Sequence, residues 1–256
     1  MGKFNINQFI CRSDNYGVII SDKNTGLTAS IDAPDAKIID QELTKNNLKL
    51  THLFITHKHL DHIEGIEYLK DKYGCIVIGP EKEKREIPLL DITVLDEEYI
   101  DFSGSPIKII ETPGHTLGHI IYYFEQDNLL FAGDTLFLMG CGRVFEGTHK
   151  QMFESLEKIK KLPPDTTIYC GHEYSLANAK FVASILPDNN NIKKRLHEIE
   201  LLRDQNKHTL PTLLDDELNT NLFLMGDNSS LKKKLDMSDA IEEEIFSELR
   251  TKKDNF

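Results

Sequence analysis

Ten residues hold the densest chemistry in the chain: Leu53-Phe54-Ile55-Thr56-His57-Lys58-His59-Leu60-Asp61-His62. An apolar, β-branched run stops abruptly at three histidines and one aspartate. With 10 histidines in 256 residues, three at set places in one window is a chance event of roughly 6 in 100,000. A solvated loop with scattered polar residues is therefore the poorer reading. At a strand end, residues two apart leave the same side of the chain, so His57 and His59 can meet one point. Asp61 and His62 fall where the chain turns into a helix and can aim at a second. Imidazole nitrogen and carboxylate oxygen suit zinc, iron(II) or manganese.

Three later segments repeat the pattern of apolar strand, glycine, ligand-type side chain. Ile107–Ile110 leads to Gly114-His115, Leu129–Ala132 to Gly133-Asp134, and Thr167–Cys170 to Gly171-His172. A lone histidine after a strand is more often structural. Joined to the first cluster, these positions complete two metal shells: His57, His59 and His115 for one ion, Asp61, His62 and His172 for the other. Asp134 would bridge, a carboxylate having an oxygen for each cation. Asp134 and Asp61 are the acidic residues expected to serve catalysis, Asp61 as a ligand rather than a base. His119 has either a supporting or a packing role, and His52, His149, His197 and His208 show no comparable spacing.

Short apolar strands must deliver these side chains to one rim. Up to about residue 172, strand-like runs (Val18–Ile20, Leu27–Ile31, Leu53–Ile55, Cys75–Ile78, Ile107–Ile110, Ile120–Phe124, Leu129–Ala132, Thr167–Cys170) alternate with helical spacing over Asp35–Lys45, Ile63–Lys72 and Met152–Lys161. Beyond residue 173 helical spacing dominates, in Tyr174–Leu186, Ile192–Gln205 and Ser238–Lys252, with Ser238 as an expected N-cap. Leu210–Asn228 reads as irregular. The expected organisation is α+β, with a catalytic domain over residues 1–172 and a smaller helical domain over 173–256.

Charge excludes more than it selects. A net charge of −12 opposes broad nucleic-acid binding, which needs a basic face. No apolar run reaches the roughly 20 residues that span a bilayer, and Met1–Asn5 opens no signal-peptide core. A cytoplasmic location, reduced thiols at Cys11, Cys75, Cys141 and Cys170, no membrane partner and a monomeric state are the expectations.

Thr56–His62 resembles the T-H-x-H-x-D-H signature of the metallo-β-lactamase superfamily, and His115, Asp134 and His172 follow in that superfamily's order. The resemblance implies an αββα sandwich. A narrower likeness is to glyoxalase II, the hydroxyacylglutathione hydrolases. Phe131–Phe137 followed by Gly140-Cys141-Gly142-Arg143-Val144-Phe145-Glu146-Gly147 resembles that family's G-C-G-[KR]-x-[YF]-E-G block. Gly171-His172-Glu173-Tyr174 matches G-H-E-Y, and Arg250-x-x-Lys253-Asp254-Asn255-Phe256 its basic tail. The resemblance implies glutathione contacts at Arg143, Phe145, Tyr174, Arg250 and Lys253, although cations in a last helical turn also favour the helix dipole without a ligand. Two departures stand out. Phe145 replaces a tyrosine found in some members, and Asn221-Leu222-Phe223-Leu224-Met225 replaces N-P-F-L-R.

What the resemblance implies is hydrolysis of S-(2-hydroxyacyl)glutathione thioesters, S-lactoylglutathione giving D-lactate and glutathione, in methylglyoxal detoxification. Two divalent ions, zinc foremost with iron or manganese as alternatives, would hold a bridging hydroxide. A thiolate leaves readily, so no separate general acid is needed. The competing reading is a glutathione persulfide dioxygenase with a single iron, disfavoured by the full complement of Asp61, His62 and His172. A nuclease of the same fold and a non-catalytic metal-dependent binding protein fit the acidic balance and the intact ligand set less well.

Overall fold

A computed structural model describes residues 2–256. The chain falls into two compact units. One contains the residues up to Glu111 together with Gly118–Gly133; the other contains Thr112–Leu117 and Asp134–Phe256.

The first unit holds strands β1 (Asn5–Cys11), β2 (Asn15–Ser21) and β3 (Thr28–Ile31), helix α1 (Ala36–Lys45), β4 (His52–Phe54), α2 (Leu60–Ile63), α3 (Ile66–Tyr73), β5 (Ile76–Pro80), β6 (Ile92–Val94), β7 (Tyr99–Phe102), β8 (Ser105–Glu111), β9 (Ile120–Phe124) and β10 (Leu129–Phe131). Strands β1 to β6 form a sheet in sequence order, antiparallel from β1 to β3 and parallel from β3 to β6. Strands β10, β9, β8 and β7 lie side by side and antiparallel.

Alternation along β4 explains the layering, because successive side chains leave opposite faces. Leu53 and Ile55 join Ile39 and Leu43 of α1 and Ile66 and Leu69 of α3 in one buried cluster. Phe54 points the other way, its ring 5.4 Å from Phe102 and 5.3 Å from Tyr122. The Tyr122 hydroxyl donates to the Ile55 carbonyl at 2.8 Å, so the buried phenol is satisfied. Each such apolar side chain, fully buried, contributes about 1.5–3 kcal/mol. Asp35 caps α1 by accepting from Lys37 N and Ile38 N.

The second unit contains the hairpin β11 (Leu136–Phe137) and β12 (Gly140–Cys141), helix α4 (His149–Lys160), β13 (Thr167–Tyr169), α5 (Ser175–Ile185), α6 (Asn190–Asp204), β14 (Thr212–Leu213), α7 (Leu214–Thr220), α8 (Ser229–Lys234) and α9 (Glu242–Asp254). Strands β13 and β14 pair antiparallel. Thr148 and Gln151 cap α4 reciprocally. Met152, Leu156 and Ile159 form its buried stripe, and Phe181, Phe223 and Phe246 pack in series, at 6.2 and 5.8 Å.

The structure corrects the sequence reading at several elements. The helix expected over Ile63–Lys72 is two, α2 and α3, interrupted at Glu64-Gly65. A Cβ on Gly65 would stand 2.8 Å from the Ala33 carbonyl, so backbone approaches backbone there. Helix α9 starts at Glu242 and not at Ser238; Glu244 reaches back to the Ile241 amide at 3.1 Å. The segment Leu210–Asn228, expected to be irregular, contains the short strand β14, helix α7 and a 3-10 turn, Leu222–Leu224. Strand β1 escaped notice because Asn5, Asn7 and Gln8 dilute its apolar pattern; β6 and β7 are too short to show a period.

Candidate metal centre and substrate shelf

Parallel pairing of β3 with β4 aligns Ile31 with Phe54, which brings the next residue, Asp32, beside Thr56. Asp32 is buried, with φ +55°, a left-handed conformation that aspartate tolerates better than most. Its Oδ1 accepts from Thr56 N at 2.7 Å, and its Oδ2 accepts from the Thr56 hydroxyl at 2.9 Å and from His62 Nδ1 at 2.7 Å. Having given its proton to Asp32, the Thr56 oxygen is the acceptor for His57 Nδ1, at 2.9 Å. One carboxylate thus sets the tautomer of both His57 and His62, leaving Nε2 as the basic nitrogen of each.

Those rings lie close together. His57 Nε2 is 3.0 Å from His59 Nδ1, and the His57 and His62 ring centroids are 4.2 Å apart. Asp61 Oδ2 stands 3.6 Å from His62 Nε2 and accepts from Asn15 Nδ2 at 2.9 Å. The buried Glu83 ties the turn down, accepting from Lys58 N at 2.7 Å and from Gly118 N at 3.0 Å. His119 is fully buried, its ring 4.8 Å from that of His57. Gly133, at φ +48°, would place a Cβ 2.6 Å from His119 Nε2, so only glycine suits the approach to Asp134.

In the second unit Asp134 Oδ2 lies 3.3 Å from His115 Nε2 and 3.3 Å from His172 Nε2. All three residues are buried. His115 Nδ1 donates to the Arg143 carbonyl at 2.9 Å, again leaving Nε2 basic. Tyr174 stacks on His172 at 4.7 Å with the planes 3° apart, and Phe137 packs edge-on against both. The donor set of each unit suits transition-metal binding: the buried imidazoles of His57, His62 and His115 have Nδ1 committed and Nε2 basic, and the carboxylates of Asp61 and Asp134 lie in the same clusters.

The residues expected at the substrate gather in the second unit. Arg143 is 57% exposed, its Nε 3.3 Å from Asp254 Oδ1, and its guanidinium lies over the ring of Phe145. Phe145 itself is 60% exposed, 5.2 Å from the His115 ring. Lys253 donates to the Ala177 carbonyl at 3.3 Å and lies over Phe181 and Phe256. Burial first, then the charges of Arg250 and Arg143, pull its pKa below that of an ordinary lysine.

Arg250 differs from the rest. Only 4% exposed, it donates to the Cys141 carbonyl at 2.9 Å and to Asp254 at 2.9 Å, with its guanidinium over Phe223. Both of its terminal nitrogens donate inside the protein. Its burial removes it from the helix-dipole explanation open to exposed cations in a last turn.

Sequence reasoning missed Asp32, Asn15 and Glu83, and it named Asp254 only within the tail motif. Asp32 carried a signal, since it ends an apolar strand as the candidate ligands do. Glu83 had none: Glu81-Lys82-Glu83-Lys84-Arg85-Glu86 reads as solvated surface.

Comparison with known proteins agrees with this chemistry. Residues 25–172 match the model of the metallo-beta-lactamase superfamily, and residues 173–256 match that of the hydroxyacylglutathione hydrolase C-terminus. The chain is 49% identical over 251 residues to a hydroxyacylglutathione hydrolase of Bartonella henselae, covering 98% of this chain and 99% of that protein. It is 49% identical over 254 residues to that of Brucella ovis, covering 99% of each. Among solved structures, ETHE1 from Myxococcus xanthus superposes with a TM-score of 0.67 at 22% identity, covering 96% of both chains. The BLEG-1 B3 metallo-beta-lactamase gives 0.66 at 20%, covering 86% of this chain and all of that one. At such identities the likeness speaks for the fold alone: an α+β metallo-β-lactamase fold with a helical C-terminal region. The chain carries histidine and aspartate groups able to hold metal ions. Among the described residues no helix is long and apolar enough to cross a membrane. The chain belongs to the metallo-β-lactamase superfamily and, within it, to the hydroxyacylglutathione hydrolases.

Proposed function

We propose that this chain hydrolyses S-(2-hydroxyacyl)glutathione thioesters, releasing glutathione and a 2-hydroxy acid, D-lactate where the substrate is S-lactoylglutathione. Removal of methylglyoxal is the matching role. One observation carries the reading: the short stretch around the β11–β12 hairpin has Asp134 before it and Arg143 just after it. A carboxylate suited to bridging cations and a guanidinium suited to gripping a peptide carboxylate thus flank one hairpin.

In this reading His57, His59 and His115 hold one divalent ion and Asp61, His62 and His172 a second, with Asp134 shared. Zinc is the first expectation, iron or manganese the alternatives. When bound, the pair supplies Lewis acidity and a water that ionises near about pH 7. The chain's own groups do the rest. Asp32 and Thr56 aim the rings of His57 and His62 and fix the tautomer that makes Nε2 the ligating nitrogen. Arg143 and Lys253 attract the anionic glutathione moiety, Tyr174 and Phe145 offer ring faces, and Arg250 secures the wall at Cys141. The glutathione thiolate departs without a proton donor.

The domain assignment follows: residues 1–172 catalytic, 173–256 contributing substrate contacts. All seven proposed ligands come from one chain, which supports a monomer. Four free, buried cysteines support a reducing, cytoplasmic setting. The test is hydrolysis of S-lactoylglutathione with elemental analysis of the same preparation. Metal-loaded protein that leaves the thioester intact, or that consumes oxygen with glutathione persulfide, would overturn the proposal.

A further inference from the structure

Helix α7 contains a carboxylate that the hydrolytic chemistry does not use. Glu217 is completely buried, yet it makes no ion pair among the described residues. Its Oε2 accepts from the Met139 amide at 2.7 Å and from Asn221 Nδ2 at 3.0 Å; its Oε1 accepts from the Thr212 hydroxyl at 3.0 Å. Arg195, the nearest positive charge in this network, reaches it only through Thr212, at 2.9 Å. Asn221 also donates to the carbonyls of Phe137 and Gly140, at 3.2 and 2.9 Å. Both side chains therefore converge on the turn of the β11–β12 hairpin.

That turn needs holding. Leu136 pairs with Cys141 and Phe137 with Gly140, leaving Leu138-Met139 at the corner. Met139 has φ +53°, at a position where turns normally place glycine. A side chain there is strained and persists only when its surroundings over-determine it. A carboxyl oxygen accepting from the amide of the strained residue at 2.7 Å does that.

The hairpin's neighbours are functional. Asp134 lies two residues before β11, and Gly142 N donates to the Thr135 carbonyl at 3.1 Å. The Arg143 carbonyl orients His115, the Phe137 ring contacts His172 and Tyr174, and the Cys141 carbonyl receives Arg250.

We propose that Glu217, with Asn221, is a positioning residue for thioester hydrolysis: it clamps the Phe137–Gly140 turn and thereby fixes Asp134 and Arg143 relative to one another. This rests on the thioesterase reading. It also gives Asn221 its purpose, independent of Leu222 and Met225, the two residues that depart from N-P-F-L-R.

The test compares Glu217→Ala, Glu217→Gln, Asn221→Ala and Thr212→Val as metal-loaded full-length protein. Readouts are kcat and KM for S-lactoylglutathione, and hydrogen exchange of the Leu136–Gly142 amides. Glu217→Ala should lower kcat/KM by about tenfold or more, since small misplacements of reacting groups carry costs of that order, and should speed exchange at Met139. Glu217→Gln, which keeps an oxygen for Met139 N, should restore most of both. Thr212→Val, which touches only the far oxygen, should lower the melting temperature yet leave kcat/KM within about twofold. If Glu217→Ala fails to fold, Asn221→Ala must show the same kinetic and exchange signature. Native kcat/KM and slow exchange in the folded alanine variants would overturn the proposal, as would a loss in Thr212→Val equal to theirs. Should the parent protein lack thioesterase activity, the function falls while the exchange arm still decides the clamp: faster Met139 exchange in Glu217→Ala supports it, unchanged exchange refutes it.

Discussion

Two regions aim the same kind of side chain by different means. In the Thr56–His62 turn, the side-chain carboxylate of Asp32 and the Thr56 hydroxyl hold His57 and His62. In the second unit, His115 is oriented by a backbone carbonyl, and the chain around Asp134 by the hairpin that follows it. A side-chain partner can be deleted by one substitution; a carbonyl cannot. The first region concentrates its orientation in one residue, whereas the second spreads it over a piece of backbone that must itself be braced.

Asp134→Ala should have the largest effect, at least a roughly thousandfold loss of turnover with a fall in bound metal, read by assay and elemental analysis. Retained turnover would remove the shared carboxylate from the proposed centre. Asp32→Ala tests the contrast itself. With two imidazoles losing their Nδ1 acceptor chain, metal affinity should fall by about 10–100-fold, measured by chelator competition. An Asp32→Ala protein that binds metal as tightly as the parent would erase the distinction between the regions. Arg143→Ala should raise KM by about five- to tenfold with kcat nearly unchanged, because an exposed cation contributes binding more than transition-state stabilisation. A fall in kcat alone would mean that the hairpin, not the guanidinium, had been disturbed.

The smallest effect is on stability against pH. Burial pushes the Glu217 carboxyl up from 4.5 to about 7, partly offset by hydrogen bonds from Met139, Asn221 and Thr212 and by Arg195. The folded protein then binds a proton more tightly than the unfolded chain. This group's contribution is fully present below about pH 4.5 and is lost as pH rises through about 7. Asp215 and Asp216 on the same helix supply no positive partner for it. Glu217→Gln should therefore match the parent near pH 5 and exceed it at pH 8, by at most about 3 kcal/mol. Thermal melts across that range would show it, and parallel curves for the two proteins would refute it.

How much was legible depended on whether a feature was local. Strand-then-ligand segments such as Leu53–His62 and Thr167–His172 announced themselves, because apolar alternation and side-chain chemistry sit within a few residues. The α2–α3 break was not legible, since Gly65 answers to the backbone at Ala33 and Ala36. Arg250 shows the same limit. The tail motif named it, but its engagement with Cys141 lies 109 positions away.

The sequence by itself determined which donor atoms are available, in what order, and on which strand ends, because residue type and strand periodicity are properties of short segments. Tertiary structure alone decided which imidazole nitrogen His57, His62 and His115 present, that Arg250 faces inward, and that a glutamate from the helical region meets the Met139 amide of the hairpin. Those outcomes depend on hydrogen-bond partners 24 to 109 residues distant, which only the packed sheets and helices bring into reach.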